Sequence, residues 1–152
     1  MEPFYYKDTT VVENTDADCH SLLKASALLR YVEQIAAVHA RHFGMDDQFF
    51  EDHGVAFLVG KQALRFNRVP YRGETLSLCT RSEVIRRGSI KRITTLTDEA
   101  GQEVAMVDSR WIMSSLEDGH ILRIKTHGKV VRYLAARRND YPMRIFQFEN
   151  VH

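Results

Sequence analysis

The chain has 152 residues, 44% of them apolar and 27% charged, with a formal net charge of +1. That length suits one packed domain, and the composition excludes a disordered chain. No apolar run reaches the roughly 18 residues a membrane-spanning helix needs, and two cysteines, Cys19 and Cys79, exclude a disulfide framework or a paired-cysteine zinc site.

Residues 4–13 (FYYKDTTVVE) are rich in aromatic and β-branched types and predict a strand. Residues 21–43 predict one long helix, because Leu28, Leu29, Val32, Ile35, Ala36, His39 and Phe43 recur at three- and four-residue spacing. Asp18 or Ser21 is expected to cap its start, and Gly44 follows its end. Met45–His53 predicts a further turn or two of helix. From Gly54 the pattern changes to strands at 54–68, 74–86, 89–98 and 102–116. Turn residues separate them at Val69–Gly73, Arg87-Gly88, Asp98–Gly101 and Glu117–Gly119. Leu76, Leu78, Thr80 and Ser82 share one strand face. Residues 121–138 fit no single element, and Met143–Phe148 is expected to be a short strand. Strand, long helix and antiparallel meander together make an α+β layout in which the sheet wraps the helix. The sequence has neither alternating strand–helix units nor a glycine-rich phosphate loop.

Three stretches carry a more specific resemblance. Thr15-Asp16-Ala17-Asp18-Cys19-His20 precedes a helix containing Leu29-Arg30-Tyr31-Val32-Glu33. Phe66–Leu76 (FNRVPYRGETL) is a strand–turn–strand with Pro70 and Gly73. Asp98–Gly101 is followed by Ser109-Arg110-Trp111-Ile112-Met113. In order and spacing these stretches resemble the hotdog-fold acyl-acyl-carrier-protein and acyl-CoA thioesterases, from residue 10 to about residue 135. The resemblance implies a hotdog fold and thioester hydrolysis without a cofactor. Plant-type members carry two hotdog units in one chain. This chain has room for one, so a homodimer or a dimer of dimers is expected to supply the second.

Hydrolysis needs an activated water or a carboxylate nucleophile, with donors for the oxyanion. The resemblance implies an Asp or Glu at the start of the central helix or upon it. Counting back from Glu33 puts Asp18 at the catalytic position. Matching the pattern D-x-N-x-H instead aligns Asp16, Asp18 and His20, with Asp18 standing where Asn is expected and Cys19 where the family has Gly. Glu33 lies on a helix flank with Ser26, Leu29, Ala37 and Ala40, away from Arg30, Gln34 and Arg41. A carboxylate among small and apolar residues is partly desolvated, the setting a general base uses. An ion pair between Glu33 and Arg30 is the plainer alternative. Asp18, His20 and Glu33 are therefore the catalytic candidates, and Asp16, Gly60, Arg65 and Arg68 the expected substrate contacts. His39 reads as a core histidine, and Trp111 and Met113 as core.

The net charge hides a split. Residues 1–60 hold four Lys/Arg against ten Asp/Glu, and residues 61–152 hold 17 against ten. Arg65, Arg68, Arg72, Arg81, Arg86, Arg87, Lys91, Arg92 and Arg110 fall on the proposed strands and turns. Arginines at a pocket mouth would clamp the pantetheine phosphate of coenzyme A or of an acyl carrier protein. Nucleic acid is not expected, because aromatics are not interleaved with these cations. The N-terminus lacks a basic stretch followed by an apolar core, so no signal peptide is expected and the cytoplasm is the expected setting. Two other readings stay open: a hotdog dehydratase or hydratase on acyl thioesters using His20 with Glu33, and a non-catalytic acyl-thioester or carrier-binding module.

Overall fold

The computed structural model describes residues 5–42, 44–86, 89–125 and 147–150, with only the backbone course described at 83–86, 122–125 and 147–150. In chain order the elements are β1 (Tyr5–Val11), α1 (Ala25–His42), α2 (Asp47–His53), β2 (Val55–Phe66), β3 (Thr75–Arg86), β4 (Ser89–Thr97), β5 (Glu103–Ser115), β6 (Ile121–Lys125) and β7 (Gln147–Asn150). The strands pair antiparallel in the order β1-β3-β4-β5-β2. Two residues of β6 pair with Met113 and Ser114 at the end of β5, and β7 pairs with β6.

Alternation puts Leu76, Leu78, Thr80 and Ser82 of β3 on the inner face, together with Ile90, Arg92, Thr94 and Leu96 of β4. On α1 the buried residues are Ala27, Leu28, Tyr31, Val32, Ile35, Ala36 and His39, one face of a helix of 3.6 residues per turn. This face and the inner sheet residues form the core. Leu28, Leu76 and Leu96 are fully buried, and each contributes about 1.5–3 kcal/mol of hydrophobic stabilisation. Leu29, expected on the buried stripe, is only partly covered. Phe43 and the turn at Arg87-Gly88 lie outside the described residues, as does most of the expected last strand. The turn after β4 forms as expected. Asp98 accepts from the backbone amides of Ala100 and Gln102, and Gly101 takes the left-handed φ of 82° that the turn requires.

The start of α1 differs from expectation. Neither Asp18 nor Ser21 caps it, because the helix begins at Ala25. Residues 17–23 instead fold back on themselves. Ala17 bridges to Leu23, and Ser21 adopts a left-handed φ of 63°. Asp18 Oδ1 accepts from the amides of His20 (2.8 Å) and Leu22 (3.1 Å), a side chain serving a tight turn in place of a helix. Tyr71 and Pro70 of the β2–β3 turn hold this loop through Leu22 and Leu23. Among the described residues no helix is long and apolar enough to cross a membrane.

Candidate active site

Beyond Ile35, α1 presents Ala36, Ala37 and Ala40 to a cavity. These side chains leave space that larger ones would fill. The cavity has a volume of about 460 Å³ and lies between the C-terminal half of α1, α2, the start of β2 and the strands β3–β5. Its walls are mainly apolar, with Met45, Phe50, Phe57, Ile90, Trp111 and Leu116. Glu33 and Arg41 of α1 line it, as do Asp46, Asp47 and Glu51 around α2. Its volume is that of a small-molecule site.

Two polar residues enter from the sheet, Ser82 and Arg92, each only 8% exposed. Arg92 Nη1 donates to Thr80 Oγ1 (3.0 Å) and meets His39 Nδ1 at 2.9 Å. Thr80 in turn bonds Thr94 at 2.9 Å. Arginine has no acceptor to offer, so His39 Nδ1 must carry the lone pair. Burial, reinforced by the charges of Arg92 and His42, drives the His39 pKa down to about 3 and keeps the ring neutral. The indole Nε1 of Trp111 is buried without a hydrogen-bond partner among the described residues.

The sequence candidates divide between this cavity and other places. Glu33 lines it, and its side chain is exposed in the single chain. Its ion-pair alternative does not form, because Arg30 pairs with Asp16. Asp16 is itself buried and held from two sides, its Oδ2 accepting from the Tyr31 hydroxyl at 2.5 Å and its Oδ1 from Arg30. The Tyr31 hydroxyl, with Arg30, holds the Asp16 carboxyl below its ordinary range. Asp16 thus ties the front loop to α1 and lies outside the cavity lining, where a substrate contact was expected. Asp18 and His20 are exposed on that front loop, and the amides of Leu22 and His20 pull the Asp18 pKa down. Glu33 lines the cavity, and neither Asp18 nor His20 is among the residues lining it.

The expected phosphate clamp is also elsewhere. Arg65 pairs with Glu103 (2.9 Å), and Arg68 pairs with Glu74 (2.6 Å) and Asp98 (3.0 Å). Both arginines hold neighbouring turns and strands together, outside the cavity lining. Gly60 sits at an irregularity of β2 beside Arg110 and Ile112. Arg92, grouped with the arginines of the strands and turns that could clamp a phosphate, is instead buried under α1. The period of two in Ile90, Arg92, Thr94 and Leu96 was the signal for this. Trp111, expected in the core, stands in the cavity wall. Among the described residues, no three His, Cys, Asp or Glu side chains gather as metal ligands would.

Residues 3–128 match the family model described as the acyl-ACP thioesterase N-terminal domain. The chain belongs to this family. Solved structures show the same fold at low identity. An acyl-ACP thioesterase from Bacteroides thetaiotaomicron superposes with a TM-score of 0.76 at 21% identity, over 97% of this chain and 58% of that one. The 12:0-ACP thioesterase of Umbellularia californica gives 0.72 at 14%, over 86% and 52%. A Staphylococcus aureus protein in complex with CoA gives 0.79 at 10%, over 94% and 92%. The chain therefore spans a little over half the length of the two acyl-ACP thioesterases. Comparison with curated proteins gave no match. The hotdog arrangement of the family accounts for the position of the cavity, since one long helix lies across one curved antiparallel sheet.

The neutral, buried His39 makes a prediction for this hotdog unit. Unfolded, it takes up a proton near its ordinary pKa of 6.5, whereas folded it does so only near 3. Its contribution is therefore complete above 6.5 and is lost as pH falls from 6.5 towards 3. His39→Gln keeps an acceptor for Arg92 and has no proton to gain. Thermal melts from about pH 7 to about pH 4 should show a steeper loss of stability in the parent than in His39→Gln, by a few kcal/mol at the acid end. Parallel pH profiles would contradict the neutral assignment.

Proposed function

We propose that this chain binds the acyl group of a coenzyme A or carrier-protein thioester in the cavity, and that Glu33 activates the water that hydrolyses it. One observation carries the assignment. Of the three carboxylates singled out at the front of the chain, Glu33 alone lines the cavity, whereas Asp16 and Asp18 are committed to holding the front loop. Glu33 takes a proton from water as the oxygen attacks the thioester carbonyl. The tetrahedral intermediate then expels the thiolate, which recovers the proton as thiol and leaves the free acid. The apolar walls hold the acyl chain. Asp18 shapes the front loop, and His20 beside it is the remaining candidate for contact with the carrier. The two free cysteines suit a reducing, cytoplasmic setting.

We further propose that a second copy completes the site along β2. Among the described residues this strand pairs only with β5. Leu58 and Val59 stand 49% and 43% exposed on it, and the strand is exposed from residue 58 to 63. An exposed strand edge that carries apolar side chains invites strand pairing. Edge-to-edge pairing about a two-fold axis would cover Leu58 and Val59 and join two sheets.

A second reading is favoured by one fact: the family model is that of an N-terminal unit, and the two acyl-ACP thioesterases are nearly twice as long. In that reading the cavity binds the acyl chain and another unit performs the chemistry.

Free-thiol release from acyl-CoA and acyl-carrier substrates separates the two readings. Glu33→Gln should lower kcat by roughly 10²–10⁴-fold with KM little changed, while Asp18→Ala and His20→Ala retain most of kcat. Undiminished release in Glu33→Gln would remove Glu33 from the chemistry, and binding without release in the parent chain would favour the second reading. Sedimentation velocity should show a dimer that the combined Leu58→Asp and Val59→Lys changes dissociate. A monomeric parent chain would contradict the β2 interface.

A further inference from the structure

Among the described residues, the indole Nε1 of Trp111 is the one buried side-chain nitrogen or oxygen without a hydrogen-bond partner. A buried donor left unpaired is costly and uncommon in a folded chain, and it calls for a reason. The register supplies its surroundings. Trp111 sits between Val59 of β2 and Ile90 of β4, and the next pair along the inner face is Phe57 with Met113. None of these side chains carries an oxygen or a nitrogen. Glu33, Asp46, Asp47 and Glu51 line the same cavity, yet all four are exposed and none accepts from the indole. An indole N–H is a donor only, so what Trp111 lacks is an acceptor, and no described residue supplies one.

Trp111 lines the cavity from the sheet, whereas Glu33 lines it from α1. A ligand that enters between them meets both walls. An acyl pantetheine thioester carries carbonyl oxygens in the thioester and in the amides of its arm. We propose that Trp111 Nε1 donates a hydrogen bond to a carbonyl oxygen of the bound thioester and so holds the ligand against the sheet. This rests on the acyl-thioester reading of the cavity and assigns that site a donor. The nitrogen is covered in this structure, so the contact requires the ring to turn as the ligand enters. Rotation about χ2 of an aromatic side chain has the breadth for this. Where the acceptor is the thioester oxygen, the same N–H steadies the negative charge which that oxygen gains during attack. The indole keeps its proton throughout.

The test separates binding from hydrolysis. Trp111 is the only tryptophan of the chain, so proton–nitrogen correlation NMR of the labelled chain shows a single indole peak. Two pantetheine probes of one acyl length resist hydrolysis. The ketone has a methylene in place of the thioester sulfur, and the thioether has a methylene in place of the thioester carbonyl. The indole proton should move downfield when the ketone binds, with occupancy followed by calorimetry. A shift with the ketone alone identifies the thioester carbonyl as the acceptor, and equal shifts with both probes identify an amide of the arm. Trp111→Phe keeps a ring in the wall and removes the donor. It should weaken the ketone on the order of 10-fold, and weaken the thioether equally only where an amide is the acceptor. An indole peak unmoved at saturation with the ketone overturns the proposal. Undiminished ketone binding in Trp111→Phe overturns it too, as does failure of the ketone to bind the parent chain. The parent chain decides this even where Trp111→Phe does not fold. A shift without thiol release from true thioesters would sink hydrolysis and leave the contact standing, and release without a shift would do the reverse.

Discussion

A guanidinium lies beneath the central helix, and the arrangement of this end of the molecule follows from it. A buried cation must be hydrogen-bonded, and His39 supplies a lone pair from α1 while Thr80 supplies an oxygen from β3. The pairing fixes the register of helix on sheet. A shift of one residue would move His39 by about 1.5 Å and rotate it by about 100° around the helix, away from Arg92. The same helix turns carry Ala36, Ala37 and Ala40, which line the cavity. The buried pair and the cavity therefore lie at the same end of the helix, and Arg92 belongs to both.

The opposite end of α1 is held by a second buried polar tie, Asp16 with Tyr31 and Arg30. Between the two ties the helix packs by apolar contact alone. The charge split between the halves of the chain takes on a different meaning here. The acidic half spends Asp16 and Asp18 on its own loop. The basic half neutralises Arg65 and Arg68 with its own Glu103, Glu74 and Asp98 and buries Arg92. Pairing within one half leaves the charge split itself unchanged, but it engages the arginines that were expected to meet an anionic carrier.

The fold was legible because it rests on periodicity. Spacing of 3.6 residues marked α1, and spacing of two marked the inner faces of β3 and β4. Asp98–Gly101 announced its turn by composition. The front loop was not legible, because a left-handed Ser21 and a bridge from Leu22 to Tyr71 depend on a turn some fifty residues away. Asp18 could not be told apart from a helix cap, since the same side chain serves either kind of turn. Glu33 was placed on its helix flank by the wheel. The acidic rim of α2 and the buried Ser82 and Arg92 were missed, because the cavity is made by residues distant in sequence. For Arg92 the alternation of β4 held the information, obscured by its grouping with the other arginines of the strands and turns.

The central claim is that the acyl chain lies under the C-terminal half of α1. A thioester of coenzyme A bearing a photoreactive diazirine near the end of its acyl chain tests this directly, with labelled peptides mapped by mass spectrometry. The account predicts labels on the segments holding Ala36–Ala40, Phe57 and Trp111, suppressed by an excess of unlabelled ligand. Specific labels confined to the front loop around Asp18 and His20, or to the turn around Arg65 and Arg68, would contradict it.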